Sequence, residues 1–133
     1  MPLLLALETS SQACSVALWD NALIVEDFQV AARQQSQVVM PMLAGVLAKA
    51  GLSRHQIDVV AVTQGPGSFM GVRLGVSIAQ SIAYALDLPV VPVSSLRVLA
   101  QVGFDALSIP HIVAGWDARM NAMYWGRYLA GVD

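Results

Sequence analysis

A mixed α/β sheet with helices on its faces is the fold class that this sequence predicts, and three observations predict it. Three short apolar stretches follow one another near the N-terminus, at residues 3–7, 15–19 and 23–30, joined by small polar residues. Such spacing reads as an antiparallel meander. From residue 34 onward helical and strand patterns alternate, which brings parallel pairing into the same sheet. Between them lies the stretch around which the rest is organised, 59–73, VVAVTQGPGSFMGVR. It reads as a buried strand, a sharp glycine turn and the start of a helix.

Each element follows from local chemistry. The first stretch ends in Glu8-Thr9-Ser10-Ser11, and Asp20-Asn21 supply the next turn. A helix is expected over 34–50, where Val38, Met42, Val46 and Leu47 fall on related faces and Gly51 is the stop. Pro41 inside it predicts a kink or a late start, because proline has no N–H to donate. Ser53-Arg54-His55-Gln56 has capping-box spacing and predicts one short turn. Val59, Val60, Ala61 and Val62 form the continuous apolar run of a strand covered on both faces. In the following helix, 68–86, Val72, Val76, Ile78, Ala79, Ile82 and Ala83 wrap most of the cylinder, which predicts burial on several sides. Gly71 and Gly75, four residues apart, would admit a close partner helix. A strand at 90–93 is bracketed by Pro89 and Pro92, and Ser94 or Ser95 caps a helix running to about residue 102. Residues 109–116 and 123–128 then read as two strands joined around Asp117-Ala118-Arg119. No internal repeat or low-complexity segment interrupts this order.

With 133 residues the chain suits one domain, able to bury roughly two thirds of its unfolded surface. It is 56% apolar and 12% charged, about half the usual ~25% charged share. A surface that poor in charge predicts an obligate partner or membership of a larger body. Net charge is −2, and Lys49 is the sole lysine beside six arginines. That is a weak footprint for holding nucleic acid alone, since phosphate binding rests on clustered cations. Cys14 has no second cysteine to pair with, which suits a reducing compartment. MPLLLALETSS has no basic leader, and no uninterrupted apolar run reaches the ~18 residues of a membrane span. A cytoplasmic protein with no membrane partner is expected.

The glycine junction is the first candidate for chemistry. Ser68 suits the N-cap of its helix, and loop amides at that positive end have the physics of an anion site. Thr9, Ser10, Gly65, Pro66, Gly67 and Ser68 are therefore a candidate nucleotide or anion loop, against the reading of a purely structural junction. It is no P-loop, because no lysine follows the glycines, and its third glycine falls one residue late for GxGxxG. GxSxG is also absent, Met70 standing two residues after Ser68. Glu8, ending the first strand, and Asp117, at the hairpin, are the remaining candidate carboxylates, against the readings of a strand-end group bonding turn amides and a turn-shaping aspartate. Cys14 has no histidine at useful spacing and reads as inert. His55 and His111 each stand alone, as a surface turn and a strand edge.

The order βββαβαβα followed by a hairpin resembles the ribonuclease-H-like half-domain of actin-like ATPases and sugar kinases. LALETSSQACSVALW, QGPGSFMGVRLGVSIAQSIAYAL, VPVSSL and DARMNAMYW, in that order, resemble more specifically the bacterial TsaB family, also called YeaZ. The resemblance runs through nearly the whole chain. It implies a first actin-like ATPase lobe at 1–108 and the incomplete beginning of a second lobe at 109–133. It implies a non-catalytic subunit, without a cofactor of its own, of the machinery that makes threonylcarbamoyladenosine in tRNA. The implied partners are the catalytic relative TsaD, the ATPase TsaE and, when alone, a second copy of the chain, with tRNA met only through the complex. The implied contact surface is a helix bundle. Gln34, Gln37, Val38 and Met42 would come from its first helix, and Phe69, Val72, Arg73, Val76, Ala79, Gln80 and Ala83 from its second.

Departures from the relative sharpen this expectation. TsaD places two metal-binding histidines after the strand equivalent to 90–93, and here those positions are Ser95 and Leu99. Leucine cannot coordinate a metal. Many family members carry histidine where this chain has Gln35. Three functions thus compete: an activating partner subunit, a nucleotide-binding protein or kinase using the glycine loop, and a metallopeptidase.

Overall fold

The computed structural model describes residues 1–131, so the last two positions of the expected second-lobe segment lie outside the described residues. The N-terminal meander is β1 (Leu4–Glu8), β2 (Ala13–Trp19) and β3 (Leu23–Val30). Helix α1 (Gln35–Ala50), a single 3-10 turn (Arg54–Gln56), β4 (Val59–Gly65), α2 (Phe69–Leu86), β5 (Val90–Ser94) and α3 (Ser95–Leu107) follow. A hairpin of β6 (His111–Arg119) and β7 (Ala122–Leu129) comes last. The five-stranded sheet has the order β3-β2-β1-β4-β5. The meander pairs antiparallel, whereas β1–β4 and β4–β5 pair parallel, in the register Leu5↔Val60 and Ala61↔Val91.

The core lies on one face of that sheet. Alternate residues Leu5 and Leu7 of β1, Cys14, Val16 and Leu18 of β2, and Val60 and Val62 of β4 point to α1 and α2. Helix α1 answers with Val39, Met42, Leu43, Val46 and Leu47. A second, smaller cluster joins Leu96 and Ala100 of α3 to Ala114 of the hairpin, with Phe104, Ile112, Trp116 and Tyr128 around it. Helix α3 therefore spends its apolar face on the hairpin. The face of β4 carrying Ala61 is consequently only half-buried, and the expectation of a strand covered on both faces is corrected.

Helix α1 runs unbroken through Pro41 from Gln35, so the late start is not observed. Gly51 ends it at φ 67°, the left-handed conformation a glycine takes without strain. The capping box forms as expected: Ser53 N donates to Gln56 Oε1 at 2.8 Å and His55 N to Ser53 Oγ at 3.3 Å. Ser68 caps α2, its hydroxyl accepting from Gly71 N at 3.1 Å. Within this chain α2 buries one stripe only, Gly71, Gly75, Ala79 and Ala83, which corrects the expectation of burial on several sides. By length and hydropathy α2 could cross a bilayer, but its small-residue stripe packs on the sheet.

Candidate functional site

The end of β1, the start of α2 and the first turn of α3 converge on two small polar residues. Thr9 and Ser10 are each 1% exposed. Thr9 Oγ1 donates to Gly71 O at 2.6 Å, and Ser68 N donates to Ser10 O at 2.8 Å. The Glu8 carboxylate accepts from Ser10 N at 2.6 Å and also from the Ser10 hydroxyl. Ser95 Oγ donates to Ser10 Oγ at 3.2 Å. The Gln35 amide, at the first position of α1, donates to Ser11 O at 2.5 Å and Ala13 O at 2.8 Å, with Thr9 O at 3.2 Å. Every polar group named here is thereby satisfied inside the chain, as burial requires.

This knot decides what the glycine junction does. A Cβ at Gly71 would collide with Thr9 O, and one at Gly75 would lie 2.5 Å from Thr9 Oγ1. The two glycines admit the end of β1 rather than a partner helix, and that expectation is corrected. A Cβ at Gly67 would strike Ser10 O. Of the candidate anion loop, Thr9 and Ser10 point inward, and the Ser68 amide is taken by a backbone carbonyl. Gly65, at φ 109° and followed by a cis bond to Pro66, borders a cleft with the hairpin together with Pro66, Gly67 and Ser68.

The remaining candidates separate cleanly. Glu8 bonds its own turn, and Asp117 Oδ1 accepts from Arg119 N at 2.8 Å, the turn-shaping role. His55 and His111 are exposed. Ser95 is buried while Leu99 is 43% exposed, and the described residues contain no group of three or more histidine, cysteine or carboxylate side chains able to hold a metal. Gln35 was invisible as a structural residue in the sequence. The carbonyls it meets belong to the β1–β2 turn, 22 to 26 positions earlier in the chain, so no local pattern marks it.

Cys14 is fully buried in β2, and desolvation first, then the charges of Asp27 and Glu8, push its thiol above its ordinary 9.0. Its folded-state pKa is raised, so it leaves stability untouched below pH 9. It costs stability as the pH rises beyond that, when the unfolded thiol ionises and the folded one does not. Iodoacetamide at pH 8 should spare the folded chain and label it in urea; equal labelling rates in the two states would contradict the burial. Cys14→Ala should blunt the alkaline loss seen in a stability-versus-pH series.

The outward faces of α1 and α2 carry the expected contact residues unevenly. Gln34, Gln37, Phe69, Arg73 and Gln80 are exposed, and Val38, Val72 and Val76 are half-buried. Met42, Ala79 and Ala83 instead face the sheet, at 2%, 0% and 6% exposure. Their helical phase turns them to the core, so they cannot belong to an outward contact surface. Met40 and Tyr84, which the sequence reading missed, are 48% and 94% exposed. Beside the two helices runs a mostly apolar groove of about 540 Å³ bordered by Met40, Leu43, Leu47, Ile82 and Leu86, with Arg54, His55 and Ser81 at its polar side.

The family model described as TsaD, tRNA N6-adenosine threonylcarbamoyltransferase, matches residues 29–132. The tRNA threonylcarbamoyladenosine biosynthesis protein TsaB of Haemophilus influenzae is 44% identical over 93% of this chain and 52% of its own length. That of Escherichia coli is 38% identical over 94% of this chain and 54% of its own length. The solved structure of YeaZ from Pseudomonas aeruginosa superposes with a TM-score of 0.92 at 40% identity, over 97% of this chain and 61% of that one. The chain thus spans about half the length of the curated relatives it matches. Fold and junction together define a lobe of the ribonuclease-H-like, actin-like ATPase class. The chain belongs to the TsaB (YeaZ) family, whose curated members are named for threonylcarbamoyladenosine biosynthesis in tRNA.

Proposed function

We propose that this chain is a non-catalytic subunit that binds and activates a TsaD-like enzyme for threonylcarbamoyl modification of tRNA. The observation that carries this reading is the mostly apolar groove beside α1 and α2, half-exposed on helices whose glycine and alanine stripe already serves the core. A groove of that character fits an apolar helix of another protein. Ser95 and Leu99 at the metal-ligand positions of the catalytic relative support the non-catalytic role. A TsaE-like ATPase is the third component, and tRNA is reached through the assembly. In the absence of that partner the same groove pairs with a second copy across a two-fold axis. The hairpin at 111–129 is the start of a second lobe.

The test is a pull-down of the protein in its full-length form against a TsaD-like enzyme, followed by a tRNA-modification assay with the mixture. Retention on the partner, and modification that depends on adding the protein, are the expected results. Modification at full rate without it would overturn the reading.

A further inference from the structure

The groove beside α1 and α2 is not uniformly apolar. Leu43 and Leu47 of α1 and Ile82 and Leu86 of α2 form its apolar wall, while Arg54 and His55 stand at its polar side. Both are exposed, and the lining of the groove holds no aspartate or glutamate. The nearest carboxylate in sequence, Asp58, accepts from Leu3 N at 2.7 Å. The groove itself therefore offers Arg54 no counter-charge.

The turn that carries the pair is fixed. Its capping box closes through Gln56 Oε1 and Ser53 Oγ, and Leu52 N donates to Leu47 O at 3.0 Å, tying the turn to the end of α1. Ile57, 3% exposed, anchors its far side in the core. A charge held on such a backbone beside an apolar groove sets the register and direction of what lies there, and discriminates between partners. The helices of a second copy supply no match for it. Neither α1, Gln35–Ala50, nor α2, Phe69–Leu86, contains an aspartate or glutamate.

Resting on the reading of α1 and α2 as the contact surface, we propose that Arg54 and His55 select the occupant of the groove. That occupant is an apolar helix of the TsaD-like partner carrying a carboxylate where it passes the turn, taken in preference to a second copy of this chain. The Arg54 guanidinium pairs with the carboxylate, and the His55 ring N–H donates a further bond. Docking strips water from the pair and strengthens it relative to an exposed ion pair.

The test is titration of the full-length protein over an immobilised TsaD-like enzyme at several salt concentrations, with sedimentation of the same proteins alone. The wild-type affinity should fall as salt rises. Arg54→Gln should weaken binding about fivefold or more at low salt and flatten that dependence, and His55→Ala should weaken it less. Arg54→Lys should keep the salt dependence, because it keeps the charge. Self-association should be the same in all four proteins, and thermal unfolding checks that each fold is kept. Arg54→Gln binding as tightly as wild type, or weakening self-association by the same factor as partner binding, would overturn the proposal. Wild-type binding that ignores salt would overturn it while leaving the partner reading intact. A wild-type protein that does not bind the enzyme at all would overturn both.

Discussion

Gly71→Ala is expected to destabilise the chain by about 3 kcal/mol, the upper end of the range for forcing extra volume into a packed site. In an open helix the same exchange would gain about 1 kcal/mol of helix propensity. Here the new methyl would overlap Thr9 O and lie 2.5 Å from Ser68 Oγ. Thr9 O is backbone at the end of β1 and cannot turn away. Relief therefore requires α2 to lift from the sheet, breaking the bond from Thr9 Oγ1 to Gly71 O and loosening the Ser68 cap. Gly75→Ala should cost less, because its methyl meets the Thr9 hydroxyl, the movable end of a side chain. Gly45→Ala is the control: it is also helical, nothing lies within 4 Å of its Cβ, and it should stabilise by up to about 1 kcal/mol. Urea midpoints for the three variants give the comparison directly. A Gly71→Ala protein as stable as Gly45→Ala would mean that α2 does not sit against β1 as described.

These same glycines mark the boundary between what the sequence states and what it leaves open. A pair of glycines four apart says that something approaches one helix face closely, but not what. Local signals carried further: the short apolar runs of β1 and β2, the Ser53–Gln56 box and the Ser68 cap all involve neighbours within a few residues, and all form. Helix α3 continues five residues beyond the expected end, to Leu107, because Phe104 packs on the hairpin, a contact with distant chain. Burial on α2 was misread for a related reason. Apolar composition on all sides cannot distinguish the stripe that meets the sheet from the flanks left for another protein. The polar knot was legible in residue type, with Glu8, Thr9, Ser10 and Ser68 each singled out, but not in pairing. Thr9 bonds across 62 positions and Ser95 across 85. Arg119 and Tyr124 share a cleft with Phe69 and Arg73 only because α3 holds the hairpin where it lies.

Met40→Glu and Tyr84→Glu, on the outward faces of α1 and α2, are expected to lower affinity for a TsaD-like partner at least a hundredfold. Neither should disturb the fold, since the two side chains are 48% and 94% exposed in the chain alone. On docking, each glutamate would lose its water against an apolar surface without a counter-charge, and a cost of several kcal/mol is the usual consequence. Val76→Glu, half-buried on α2, should act in the same direction with a small loss of stability. Ala79→Arg cannot serve this purpose: Ala79 is fully buried against the sheet, and an arginine there would unfold the lobe before it tested a contact. Phe28→Glu is the matched control, an aromatic residue 63% exposed on the edge strand β3, paired with Ser15 on the face of the sheet opposite α1 and α2. It should leave partner binding unchanged. Surface-plasmon titration of each variant over the immobilised partner measures the effect, and sedimentation of the same variants alone reports self-pairing through the same face. If Met40→Glu and Tyr84→Glu bind as tightly as Phe28→Glu, the outward faces of α1 and α2 are not where the partner sits. If they lose the partner yet still self-associate, the two assemblies use different surfaces, and the self-pairing part of the proposal fails while the partner reading stands.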